Sequence, residues 1–133
     1  MFISRECDYA IRVVRALADG EKKTADEICR QENISNQFAY KIMKKLEKKK
    51  LLRVYRGVHG GYALTMSVDD LCLYDVFVAM EDHVVLTACL TGNFDCPMNR
   101  GDKPCSVHQE FERIQQVLTF AMKEKTLREI LAE

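Results

Sequence analysis

The chain has 133 residues, 47% of them hydrophobic and 30% charged, which is enough apolar material for the core of one ordinary globular domain and too much for a disordered tail. No run approaches the ~18 consecutive apolar residues of a membrane span. The opening "MFISRECDYAIRVVRALADG" interrupts its apolar positions with charges, unlike a secretory signal, so a cytoplasmic protein is expected. The formal net charge is +0, yet its distribution is uneven: between Lys41 and Arg56 eight bases face one acid, Glu47, while from residue 57 onward twelve acids face six bases. A basic segment beside an acidic remainder suits one face for phosphates and another for a different task.

In chain order, residues 5–18 carry apolar side chains at Cys7, Ala10, Ile11, Val14, Leu17 and Ala18, the three-four spacing of a helix face, and Asp19-Gly20 ends the segment. "TADEICRQEN" opens with Thr24 three residues before Glu27, a capping box, and Asn33 suits a left-handed terminator. Ser35 can cap a third helix that packs through Phe38, Ala39, Ile42, Met43 and Leu46, with Asn36, Gln37, Tyr40, Lys41, Lys44 and Lys48 mostly on its other faces. In "LLRVYRGVHGGYAL" two β-prone runs flank a glycine turn. Three helices followed by a basic hairpin predict a winged helix-turn-helix over residues 1–66.

Beyond it, Ser67 ahead of Asp70 has the form of a helix start leading into "DDLCLYDVFVAMED", with Leu71, Val76, Phe77 and Met80 apolar. Residues 82–104 show no period and contain two prolines and two glycines; a loop this long in a compact domain is usually functional or disordered. A linking helix and cysteine-containing loop are thus expected over 67–104. Over 105–133 a long helix with apolar Phe111, Ile114, Val117, Leu118, Ala121 and Met122 precedes a short one in which Thr126 caps towards Glu129. The expected class is mainly α with a small β-hairpin wing.

The second helix of a helix-turn-helix enters the major groove and reads base edges with its N-terminal side chains. Here those are Ser35, Asn36, Gln37, Tyr40 and Lys41, followed by Lys44. Asn and Gln pair bidentately with adenine, Ser donates or accepts, Tyr meets phosphate or a thymine methyl, and Lys binds guanine or phosphate. Arg56 and His59 on the hairpin suit the negative potential of an adjacent minor groove, and its glycines let backbone approach backbone. A lysine run alone is as often a solvated helix face, and the hairpin that follows is what favours DNA.

Three of the six cysteines, Cys89, Cys96 and Cys105, lie in the unpatterned loop with gaps of six and eight residues, and His108 follows. Zinc motifs usually hold two ligands two to four residues apart, so the wider spacing favours a larger group such as an iron-sulfur cluster. A thiol switch, its thiolates favoured by Arg100 and Lys103, a regulator of the same fold that works without a cofactor, and plain packing remain open. Cys7, Cys29 and Cys72 fall within apolar helix patterns and are expected to pack. No phosphate loop, nucleophile elbow or suggestive carboxylate pair points to an enzyme.

The stretch "ISNQFAYKIMKKLEKKKLLRVYRGVHGGYAL" resembles the recognition helix and wing of the IscR/NsrR/CymR family of bacterial transcriptional regulators. That family's hallmark, an RG-x-x-GGY-x-L wing, runs here from Arg56 to Leu64. The similarity extends through "DYAIR", "LYDVFVAMED", the cysteine loop and "TLREIL", nearly end to end. It implies a homodimer built on the long C-terminal helix and bound to a palindromic operator in double-stranded DNA. It also implies a 2Fe-2S or 4Fe-4S cluster on Cys89, Cys96 and Cys105, although the gaps here are wider than in the best-known members. The fourth ligand differs between branches: a histidine after the third cysteine, which His108 matches, or an acid near the start of helix one from the other subunit, which Asp8 matches. Asp8 is slightly favoured, because it would tie the cluster directly to the reading domain.

Overall fold

The computed structural model describes residues 3–99 and 101–132, so Arg100 lies outside the described residues. In order these form α1 (Arg5–Ala16), α2 (Ala25–Glu32), α3 (Asn36–Lys48), the strands β1 (Leu52–Tyr55) and β2 (Gly61–Leu64), α4 (Leu73–Met80), a 3-10 turn at Ala88–Leu90, α5 (Ser106–Glu124) and α6 (Leu127–Leu131). The expected mainly helical architecture with one hairpin is the one observed.

Local chemistry starts and stops these helices. Ser4 accepts a hydrogen bond from the Cys7 amide at the head of α1. At α2 the Thr24–Glu27 box closes in both directions, with Thr24 N–H to Glu27 Oε2 at 2.7 Å and Glu27 N–H to Thr24 Oγ1 at 3.3 Å. Asn33 then takes a left-handed conformation, φ 53°, and the chain turns into Ser35, which caps α3.

One expectation fails at α4. Ser67 and Asp70 form a turn, with Asp70 N–H bonded to the Ser67 carbonyl at 3.0 Å, and the helix begins only at Leu73. Its cap is supplied by Asp75, whose Oδ2 accepts from the Cys72 amide at 2.8 Å. The Ser67 hydroxyl is instead engaged two residues on, by Asp69, an alternative local bond that a Ser-x-x-Asp spacing does not distinguish from a helix start.

The core lies between α1, α2, α3 and α4, and Val13, Val14, Leu17, Ile28, Ile42, Met43, Leu46 and Val76 are closed to water. Each such side chain stabilises the fold by roughly 1.5–3 kcal/mol relative to exposure. Cys7 and Cys29 are part of this core and Cys72 is half-buried at its edge. Burial pushes all three thiols up from the ordinary cysteine value, which suits packing and not reactivity. The C-terminus returns to the core: Leu127 is buried, and the Leu127 and Arg128 amides bond to the Leu71 and Val68 carbonyls at 2.7 and 3.0 Å. Among the described residues no helix is long and apolar enough to cross a membrane.

Candidate functional site

The outer face of α3 is held by its inner one. Ala39, Ile42, Met43 and Leu46 are fully buried, so the backbone cannot roll, and Ser35, Asn36, Gln37, Tyr40, Lys41 and Lys44 are all exposed. Asn36 donates to Asp26 Oδ1 on α2 at 3.3 Å. Lys41 pairs with Glu6 on α1 at 2.5 Å, and Lys45 pairs with the other oxygen of the same carboxylate. The two lysines, Lys41 foremost, hold the Glu6 carboxyl below the usual glutamate range. Glu6 was not evident from sequence: it is one acid in a helix of mixed charge, and its value lies in what α3 sets opposite it.

Phe38 also departs from expectation. It does not join the core but stands 41% exposed at the N-terminal end of α3, its ring 5.6 Å from that of Tyr9. The guanidinium of Arg12 lies 5.4 Å from the Tyr9 ring centroid, so an Arg-Tyr-Phe series borders the exposed face of α3. Apolar residues at the first turn of a helix can face either way, and three-four spacing alone did not decide this one.

The wing pairs β1 with β2 antiparallel, with Leu52 opposite Leu64 and Tyr55 opposite Gly61. A third segment adds to its edge, because Lys23 and Tyr62 exchange both backbone bonds, at 2.9 and 2.7 Å. This close approach explains Gly61, and a second one within the hairpin explains Gly60. A Cβ on Gly61 would lie 2.8 Å from the Lys23 carbonyl, at a φ of +156°, and one on Gly60 would lie 2.6 Å from the Tyr55 carbonyl. The expectation that wing glycines let backbone approach backbone thus has a specific partner, Lys23. At the tip Arg56 and His59 are exposed and Val58 is 97% exposed. Lys22 braces the tip by donating to the His59 carbonyl at 2.5 Å, a role no sequence signal announced.

All six cysteines are free thiols, and Cys89, Cys96 and Cys105 are half-buried. The structure brings one sequence-predicted pair together: His108 Nδ1 lies 3.4 Å from Cys89 Sγ. Cys96 and Cys105 are tied indirectly, because the Asn99 amide bonds to the Cys96 carbonyl at 3.0 Å and the Asn99 side chain accepts from the Cys105 amide at 2.8 Å. Among the described residues no three His, Cys, Asp or Glu side chains are grouped as they would be around a metal ion. Asp8 stays on α1, in an ion pair with Arg12 at 3.2 Å, with its side chain 54% exposed.

The stem of the loop rests on α5 through a glutamine that no motif marks. The Gln115 carboxamide accepts from the Leu86 amide at 2.8 Å and donates to the Val84 carbonyl and to Thr119 Oγ1, both at 3.0 Å. His108, Gln115, Leu118, Thr119 and Met122 are the half-buried and buried positions along this side of α5. A glutamine falling in an otherwise core-facing period was the available signal. The other side of α5 exposes Val107, Phe111, Ile114, Val117 and Phe120.

Three helices with a capped, exposed third member and a braced hairpin wing define a winged helix-turn-helix protein of the DNA-binding class. The profile of the Rrf2 family, described as an iron-dependent transcriptional regulator, matches residues 3–133, and the chain belongs to that family. It is therefore a transcriptional regulator and not an enzyme. The chain is 32% identical over 101 residues to protein Aau3 of Rhizobium meliloti, a match covering 74% of this chain and 66% of that relative's length. It is 27% identical over 129 residues to the HTH-type transcriptional regulator IscR of Photobacterium profundum, covering 94% and 72% of the two chains. In fold it is similar to CymR (YrzC), the global cysteine regulator of B. subtilis, with a TM-score of 0.74 at 18% identity over 98% of this chain and 95% of that one.

Proposed function

We infer that this regulator binds a palindromic operator as a homodimer and senses redox state, nitric oxide or iron-sulfur supply through a cluster on its cysteine loop. The observation that carries the sensing half is the 3.4 Å approach of His108 to Cys89, a thiol and an imidazole from opposite ends of the loop already side by side. The donors fit a soft metal group, since thiolates and imidazole are its ordinary ligands. Cys89, Cys96 and Cys105 would hold it, with His108 completing the set within the chain. Asp8, exposed on α1, is the alternative that a second copy would offer. A bound 2Fe-2S or 4Fe-4S cluster supplies a group that oxidants, nitric oxide or iron shortage can alter. The chain's own part is to convert loop geometry into the position of α5 and of the reading domain, so that operator affinity differs between two populations.

The apolar side of α5 supports the dimer. Val117 is 58% and Phe120 69% exposed, a cost to solubility that pairing with a second α5 removes. Two-fold pairing would present one α3 to each half-site. On that helix Gln37, Tyr40, Lys41 and Lys44 are assigned to bases and phosphates, with Ser35 and Asn36 at its start and Arg56 and His59 on the wing.

The test has two arms. Selection from random DNA should recover a palindrome, bound at least tenfold more weakly by Gln37→Ala; an order of magnitude corresponds to about 1.4 kcal/mol, within the range for one lost bidentate base contact. Equal binding of all sequences defeats the DNA arm. Reconstitution with iron and sulfide without oxygen, followed by absorption and Mössbauer spectra, should show a cluster lost in Cys96→Ala. Retention unchanged in that variant sinks the sensing arm, and His108→Ala set against Asp8→Ala decides the fourth ligand.

A further inference from the structure

Gln115 makes three hydrogen bonds with one carboxamide, two of them to backbone groups of the segment that leads into the cysteine loop. Residues 82–87 belong to no helix or strand, so the Val84 carbonyl and the Leu86 amide have no regular ladder to enter. A glutamine presents one acceptor and a donor pair in the same plane, matching a carbonyl and an amide two residues apart on an extended chain as a neighbouring strand would. Thr119, one turn further along α5, accepts a further bond and fixes the carboxamide's orientation.

The consequence reaches the candidate ligands. Cys89 lies three positions after Leu86, which Gln115 holds, and Cys89 in turn meets His108, which lies seven residues, or two turns, before Gln115 on the same side of α5. Stem, thiol, imidazole and carboxamide therefore form a closed circuit with α5 as its rigid side. We propose that Gln115 is a positioning residue of the sensor loop: by holding the 84–86 stem on α5 it sets the place at which Cys89 meets His108. This rests on the reading of the loop as a sensor, but its test does not need a cluster.

In the reduced, metal-free full chain, alkylation of Cys89 by iodoacetamide reports how often the stem lifts from α5. Gln115→Leu keeps the size of the side chain and removes its donors and acceptor. The expected result is a rise of about tenfold in Cys89 labelling, from the loss of the two hydrogen bonds that hold the stem. Cys105, which is tied to Asn99 and not to the stem, should label at the wild-type rate. Faster exchange of the Leu86 amide should accompany the change. A general loss of stability would speed both cysteines alike, so the ratio of the two rates separates positioning from mere structure. Should Gln115→Leu not fold, Gln115→Glu retains the acceptor for Leu86 and loses the donors, and an intermediate ratio is expected. A Cys89 to Cys105 ratio unchanged in the folded variants overturns the proposal. Because no iron is present, absence of a cluster in the reconstitution experiment would leave this result standing, and the reverse also holds.

Discussion

On α3 every exposed candidate contact stands on a backbone whose other side is closed to water, whereas the candidate ligands of residues 82–105 stand on a segment that shows, among the described residues, one 3-10 turn and a handful of side-chain bonds. The difference suits the roles proposed for the two regions. A groove reader must present its side chains at fixed spacing to a rigid duplex, and packing supplies that rigidity. A sensor must have two arrangements of similar free energy, and segments held by few buried contacts supply those. The reader is thus built by the core, and the loop is positioned by individual polar residues, Gln115 and Asn99 among them.

The wing offers the largest way to strain this contrast, because it belongs to the reader although it is not buried. Gly61→Ala forces a Cβ to 2.8 Å from the Lys23 carbonyl at a backbone angle that L-residues avoid. The strain should cost about 1–3 kcal/mol in urea unfolding, and operator affinity should fall, since the wing must part from residue 23 to relieve it. Unchanged unfolding and unchanged DNA binding would show that the Lys23 edge does not hold the wing.

A smaller effect comes from Glu6, which joins α1 to the reading helix through Lys41 and Lys45. Those lysines depress its folded carboxyl below the unfolded value, so the carboxylate contributes stability above the unfolded range, near pH 4.3, and loses it as pH falls through the depressed folded value. Glu6→Gln should therefore destabilise the protein by ~0.5–1 kcal/mol at pH 7, the scale of partly exposed pairs. That difference should shrink once the medium is more acidic than about pH 4, as followed by thermal unfolding across pH. A gap that widens in acid would reverse the assigned sign.

These regions were also unequally legible in the sequence. The helices of the reader announced themselves because apolar period, capping box and left-handed Asn33 all specify the same boundaries, and the wing because its glycines answer a steric need. Phe38 was misplaced because spacing does not say which way a first-turn residue faces. The Ser67 turn imitated a helix start because hydroxyl-to-backbone bonds serve both. In the loop, cysteine spacing indicated chemistry but not contacts. The meeting of His108 with Cys89 depends on the stem's attachment to α5, a long-range fact with no period to reveal it.

The smallest expected effect distinguishes the two regions most sharply. Cys96 is half-buried, and among the described residues its hydrogen bond to the rest of the loop is the backbone bond from the Asn99 amide to its carbonyl, which an alanine keeps. Cys96→Ala in the metal-free protein should therefore change stability by less than ~0.5 kcal/mol, the range of surface substitutions. Thermal unfolding of the reduced, iron-free chain checks this. The same substitution should abolish iron retention, so that a residue nearly silent in the apoprotein becomes decisive when metal is offered. A loss of several kcal/mol without metal would instead make Cys96 a packing residue and the loop a structural element, and the contrast between a packed reader and a loosely held sensor would fail at its most informative position.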